Sequence, residues 1–302
     1  GGGEAELSTA LQRLLAALTY GKTRYYDPVD FIKSCKSLKR AGQPPLLDAA
    51  HTQDDTMTFL EGLLESLAAV HGPLPDGMFK IVEKEVRWLH GTDEPRPIKG
   101  NEQEYLMLEI EDGIGDLQNA LAKHFSQELM TGDNRIWNEA TQKKETVWKK
   151  PFIEEASLPS VMVVQLKRFK HNITWDGRFE SLKLNTKVDF GLTLDMSEYV
   201  CAQQGRYDAR PAERGSQLYD LSGVIVHSGQ TVHSGHYYSF VSDPCTGKWY
   251  KLDDDAVTEV SAELLREECC GGTVEHRDIH GDIRREDRWR SAYVLFYRKH
   301  TP

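Results

Sequence analysis

No apolar run in the 302-residue sequence is long enough to cross a bilayer, and no secretory leader pattern opens it. Cysteine is scarce. The five present, Cys35, Cys201, Cys245, Cys269 and Cys270, form no C-x-x-C pair and no paired spacing. That argues against a disulfide framework and predicts free thiols in a reducing, intracellular compartment, cytoplasm or nucleus. The adjacent Cys269 and Cys270 read as partly buried, inert thiols. An excess of basic charge is also missing: 37 Lys and Arg stand against 47 Asp and Glu, a net charge of -10. That balance argues against a nucleic-acid partner and suits a basic one. There is no internal repeat and no low-complexity tract. A hydrophobic content of 39% supports one large domain or two small ones.

What is present falls into recognisable elements. Gly1–Gly3 reads as a frayed end rather than structure. Leu7, Leu11, Leu14, Leu15 and Leu18 recur at helical spacing, with Gly21 as a stop. Asp30–Lys39 predicts a short helix carrying Cys35 near Lys33 and Lys36. Neighbouring cations lower a thiol pKa, but no His or oxyanion-forming context surrounds this one. Gln53–Leu67 predicts an amphipathic helix with an acidic first turn. Gly72–Gly100 is expected to be loop-rich, broken by Pro73, Pro75, Pro95 and Pro97, with one alternating strand at Met78–Leu89. Tyr105–Ile110 predicts a strand and Leu117–Leu129 a helix. Leu158–Phe169 predicts a buried central strand. Lys183–Phe190 and Leu194–Tyr199 follow as strand and turn, and Ala292–Tyr297 closes the chain as a strand. Residues 201–217 and 274–288 read as polar and charged insertions, the first of them mobile.

The stretch Gly223–Val257, GVIVHSGQTVHSGHYYSFVSDPCTGKWYKLDDDAV, organises the rest. Three apolar or aromatic runs, Gly223–Val226, His236–Val241 and Lys248–Leu252, are separated by turn-rich loops, as in antiparallel strands. This places His236 at the start of one strand and Asp253 at the end of the next. Cross-strand neighbours lie roughly 4.5–5.5 Å apart at Cβ, within reach of a carboxylate that holds an imidazole. Such a pair is two-thirds of a nucleophilic triad. The plain alternative is two unrelated surface residues. A metal on His227, His233 and His236 is disfavoured, because their spacing suits neither one helix face nor a finger loop.

The motifs GVIVHSG, HSGHYYSF, KWYKLDDDAV and SAYVLFYRK, in that order, resemble the histidine box of the ubiquitin-specific proteases, the papain-like deubiquitinases. LPSVMVVQLKRF is similar to the family's element before that box. QDDTMTFL resembles its QQDAHEFL box, with Met57 and Thr58 replacing the His and Glu. The resemblance implies an α+β, papain-like fold of this type, a single domain over 1–302. Thumb helices would span about 4–70, fingers and connections 71–157, and an antiparallel palm 158–302. Many members hold the fingers with zinc on two C-x-x-C pairs. No cysteine lies between Cys35 and Cys201, so metal-free fingers and no cofactor are expected. His236 would be the catalytic base, Asp253 its orienter and Asp254 a second acceptor. Gln53, Asp54, Asp55, Gly235, Tyr237 and Tyr238 would face the substrate.

The family's nucleophile sits in a GLxNxGNTCYMNS box at a helix N-terminus, which lowers a thiol pKa and stabilises an oxyanion. None of the five cysteines has that context, so the nucleophile is expected outside this sequence and the isolated chain is expected to be inactive. The implied reaction is thiol-dependent hydrolysis of the isopeptide bond at the ubiquitin C-terminus. Its partners would be ubiquitin or a ubiquitinated protein, possible fellow subunits of a complex, and neither nucleic acid nor membrane. One alternative is an inactive relative serving as a binding or scaffold subunit. Another is an unrelated α+β enzyme using His236 and Asp253 with a metal.

Overall fold

In a computed structural model the structure describes residues 2–23, 25–39, 44–47, 55–73, 77–92, 96–173, 175–177, 179–201, 213–231, 234–277 and 282–301. The chain divides into two compact units, Gly1–Asp76 and Gly77–Pro302.

The first unit holds three helices, α1 (Gly2–Tyr20), α2 (Val29–Ser37) and α3 (Thr56–His71). The leucine spacing of α1 buries Leu7 with Cys35, Leu38 and Leu46. The expectation that Gly1–Gly3 lies outside regular structure is corrected, because α1 begins at Gly2. A Cβ on Gly3 would sit 3.2 Å from Leu38 Cδ1, so a small residue suits this close packing. Ser8 Oγ and His71 Nε2, 2.6 Å apart, tie α1 to the end of α3. Asp55 caps α3, its Oδ1 accepting from the backbone N–H of Met57 and of Thr58 at 3.0 Å each.

The second unit contains two larger sheets. One runs in the order Val200–Cys201, Val147–Glu154, Ile81–Leu89, Arg96–Gln103, with Glu128–Met130 also paired to Val147–Glu154. Arg96–Gln103 corrects the expectation of loop through Gly100. It is an edge strand, where Pro97, opposite Val86, lacks an N–H without breaking an inner ladder. The predicted helix Leu117–Leu129 is shorter: α4 covers Leu117–His124, and Glu128–Met130 is a strand.

The other sheet is built from β1 (Leu106–Glu109), β2 (Val161–Lys167), β3 (Thr193–Asp195), β4 (Leu218–Ser228), β5 (His236–Ser242), β6 (Trp249–Asp253) and β7 (Ala256–Val260). A detached hairpin of β8 (Thr273–Arg277) and β9 (Ile283–Asp287) follows, and β10 (Arg290–Lys299) returns to the sheet. The order is β7-β6-β5-β4-β10-β2-β1, with β3 paired to β4. Every pairing is antiparallel except β1 with β2, which is parallel. The continuous apolar run of β2 is explained by burial from Met162 to Leu166 between two neighbouring strands.

The strand expected over Lys183–Phe190 is divided. Phe179–Lys183 pairs with Phe169–Ile173, and Val188–Asp189 pairs with Gly115–Asp116. Residues 202–212, most of the first predicted insertion, lie outside the described residues. The second insertion is the β8–β9 hairpin. Helix α5 (Ala262–Cys269), capped by Ser261 Oγ on the Leu264 N–H, was not anticipated. Among the described residues no helix is long and apolar enough to cross a membrane.

Candidate active site

Register positions the central pair. β4 and β5 pair antiparallel with Ser228 opposite His236, and β5 and β6 pair with Ser239 opposite Leu252. Continuing that register by one residue sets Asp253 level with Tyr238, diagonal to His236 on the same face of the sheet. His236 Nε2 lies 2.6 Å from Asp253 Oδ1. The bond to His236 is the main cause holding the Asp253 carboxyl below its usual pKa. Asp254 begins the two-residue loop between β6 and β7, at φ 53 in the left-handed region that Asp tolerates better than most residues. One nitrogen of His236 and one carboxylate oxygen each from Asp253 and Asp254 lie within 4.8 Å of one another.

A second layer ties this pair to α5. Lys251 Nζ reaches Asp253 Oδ2 at 3.5 Å and donates to Glu268 Oε1 at 2.7 Å. The same ammonium lies 4.3 Å from the centre of the Tyr238 ring, and the Tyr238 hydroxyl donates to Glu268 at 2.8 Å. Burial opposes charge on Glu268, yet the bonds from Lys251 and Tyr238 outweigh it and lower its pKa. Sequence reasoning missed both Lys251 and Glu268. Lys251 could have been found, since period two puts it on the Asp253 face of β6. Glu268 had no signal without knowledge of α5.

Close to Gly235, just before His236, lies a buried group whose arrangement the sequence did not indicate. His227 is fully buried, with its ring 5.2 Å from Phe169 and 4.9 Å from Tyr237. A Cβ on Gly235 would come within 2.6 Å of both His227 Nε2 and Ser228 O, so only glycine fits above this ring. Lys183 donates to the backbone carbonyls of His227 at 2.8 Å and Trp289 at 2.6 Å, joining the ends of β4 and β10. Burial, with the Arg168 guanidinium nearby, pulls the Lys183 pKa down to about 7. Arg168 of the KRF run is itself fully buried and donates to the carbonyls of Ala292, Leu184 and Thr186.

The other anticipated site residues are dispersed. Gln53, Asp54 and His233 lie outside the described residues. Asp55 is engaged as the cap of α3. Tyr237 is half-buried against His227 and Tyr293, while Tyr238 is 6% exposed and turned toward α5. Cys245 is exposed in the turn after β5, at the opposite end of that strand from His236. Burial raises the pKa of Cys35 to about 11 and also raises those of Cys201, Cys269 and Cys270.

The family model described as ubiquitin carboxyl-terminal hydrolase matches residues 2–297. The chain belongs to this family. It is 28% identical to the probable ubiquitin carboxyl-terminal hydrolase FAF of Drosophila melanogaster, over 95% of this chain and 11% of that protein. It is 33% identical to ubiquitin carboxyl-terminal hydrolase 24 of Mus musculus, over 96% of this chain and 12% of that protein. The chain thus spans about an eighth or less of these curated relatives. In fold it is similar to a chain of the SAGA Ubp8/Sgf11/Sus1/Sgf73 DUB module bound to ubiquitin aldehyde. That likeness has a TM-score of 0.74 at 20% identity, covering 99% of this chain and 60% of the other. The fold is therefore the α+β type of the ubiquitin-specific proteases, with three helices in the first unit and a largely antiparallel sheet in the second.

Proposed function

We propose that the chain supplies the base and orienting carboxylate of a cysteine-type deubiquitinase that cleaves the isopeptide bond at the ubiquitin C-terminus. The observation that carries this reading is the 2.6 Å contact between His236 Nε2 and Asp253 Oδ1 inside the family's fold. With Nε2–H donated to Asp253, the lone pair is on Nδ1, which takes the proton of a thiol. The thiolate attacks the carbonyl carbon of the terminal glycine, and the imidazolium then protonates the leaving lysine amine. Water, deprotonated by the same imidazole, hydrolyses the thioester. Asp253 stabilises the imidazolium throughout, and Asp254 stands close by as a second acceptor.

The thiol comes from outside these residues. A nucleophilic cysteine needs a lowered pKa beside the base; burial moves Cys35, Cys201, Cys269 and Cys270 the other way, and Cys245 lies beyond the far end of β5 from His236. The same observation favours a second reading, an inactive member serving as a binding subunit. Ubiquitin as ligand and further subunits as partners are carried over from the neighbour, a DUB module of several subunits bound to ubiquitin aldehyde. Five free cysteines suit a reducing compartment, the cytoplasm or nucleus.

Hydrolysis of a ubiquitin–fluorophore amide tests this. The 302-residue chain alone should be inactive, a longer protein that joins it to a Cys-bearing segment should be active, and the His236→Ala variant of that longer protein should be inactive. Undiminished turnover in the variant would sink the assignment. Ubiquitin binding with no turnover from the longer protein would favour the second reading.

A further inference from the structure

A cavity of about 600 Å³ opens between α5 and the β8–β9 hairpin and reaches Ser228. Ser228 is the register partner of His236 on one side and of Arg290 on the other, so the cavity adjoins the face that carries the base. Pairing of Val274 with Glu286 and of His276 with Arg284 puts Val274, His276 and Glu286 on one face of the hairpin. All three line the cavity. Its lining is amphipathic. Leu264, 47% exposed, Val274 and Trp289 supply apolar surface. Four carboxylates, Glu267, Glu268, Glu286 and Asp287, face two guanidinium groups. Arg288 pairs with Glu267 at 3.3 Å, and Glu268 is shared between Lys251 at 2.7 Å and Arg290 at 3.4 Å, so Glu286 and Asp287 of the hairpin supply the remaining carboxylates of the lining.

We propose that this cavity docks a basic segment of the protein to which ubiquitin is joined. The alkyl stem of a lysine or arginine would lie on Leu264, Val274 and Trp289, with its cation facing Glu286 and Asp287. The cavity adjoins the face that carries His236, which protonates the leaving lysine amine of the conjugated protein, and this is why the conjugated protein is chosen over ubiquitin. The choice of partner rests on the deubiquitinase reading; the preference for a basic peptide does not.

Two measurements test it. The 302-residue chain is titrated into labelled peptides with lysines or with glutamates around a central lysine, and anisotropy is followed. The lysine peptide should bind and the glutamate peptide should not. Charge reversal by Glu286→Lys with Asp287→Lys should weaken binding by about tenfold, and Leu264→Ser should also weaken it. Glu198→Lys, an exposed change elsewhere, should leave it unchanged, with melting temperatures checked for every variant. Absence of binding, or equal loss from Glu198→Lys, overturns the proposal. The longer protein is then given ubiquitin joined to each peptide and to a fluorophore. Charge reversal should raise KM for the lysine-flanked conjugate alone, with kcat unchanged. A matching rise for the fluorophore amide would assign the cavity to ubiquitin and overturn the choice of partner. If no conjugate is cleaved while the peptide effects persist, the deubiquitinase reading fails and the basic-peptide site stands.

Discussion

His236 is 45% exposed at its side chain, so water alone would leave the ring free to turn. Asp253 removes that freedom, and Lys251, itself held by Glu268, in turn contacts Asp253. The Asp253 carboxyl has a lowered pKa, so its hold on the ring is present through neutral pH and is lost as pH falls through the folded value. In the longer protein Asp253→Asn should reduce kcat by roughly 10²–10⁴, because an amide no longer stabilises the imidazolium or dictates its tautomer. The expected residual rate would come from Asp254; if so, a further Asp254→Asn change lowers it again, which a rate comparison checks. Lys183 titrates in the opposite sense to a gained ion pair. Its folded pKa is about 7 and a lysine in the unfolded chain titrates near 10.4, so between these values the unfolded state holds a proton that the folded state has released. Stability should therefore rise with pH from about 7 toward 10, by up to about 1.4 kcal/mol per pH unit. Denaturant melts of wild type and Lys183→Met at several pH values check this, and an unchanged slope in the variant would assign the effect elsewhere. Sequence alone marked His236, Asp253 and Asp254, whose motif order is distinctive. Lys183 and Arg168 carried no sign of burial in the sequence, because nothing in one dimension shows which carbonyls will surround a buried charge.

Elements with strong periodicity were legible, and those whose cues conflicted were not. The alternating and β-branched runs of β4, β5, β6 and β10 mark the strands of the site by their pattern alone. Arg96–Gln103 was hidden by Pro97, since an edge position that tolerates proline is a property of the sheet, not of the residue. The β8–β9 hairpin was hidden by its charge, with exposed residues throughout β9 that resemble a loop. Helix α5 carried a readable signal in Ser261 followed by Leu264 and Leu265, masked by the acidic run before it. It matters because Glu268 sits on α5 and anchors both Lys251 and Tyr238. Ser261→Ala removes the bond from the Leu264 N–H at 3.2 Å, at a cost of about 1 kcal/mol. The expected result is a modest fall in melting temperature with faster amide exchange confined to α5. Replacement by Asp, another good cap, should restore both. Exchange accelerated throughout the sheet instead would show that α5 is not a separable element.

At the scale of the whole molecule the two units differ in what sustains them. The second owns the large core, in which Leu106, Leu108, Val164, Leu166, Val224, Val226, Phe240, Leu295 and Tyr297 are buried together. The first has a small cluster, Leu7, Cys35, Leu38 and Leu46, with partly buried neighbours Phe31, Leu47, Phe59 and Leu63. Burial scales with size: domains below about 70–80 residues seldom derive much stability from one core. Outside its own cluster the first unit exposes Leu15, Leu18, Tyr20 and Tyr25, apolar surface that adds nothing to folding in isolation. Residues 77–302 expressed alone should therefore fold, with dispersed amide signals and a cooperative melt. The same fragment should keep the 2.6 Å His236–Asp253 contact, since both residues and the strands that align them lie within it. A low-field imidazole proton resonance, lost in Asp253→Asn, would report that contact. Residues 1–76 alone should give a weak, non-cooperative helical signal. A cooperative melt from residues 1–76, or a collapsed spectrum from residues 77–302, would show that stability is shared across the division and not held by the larger core.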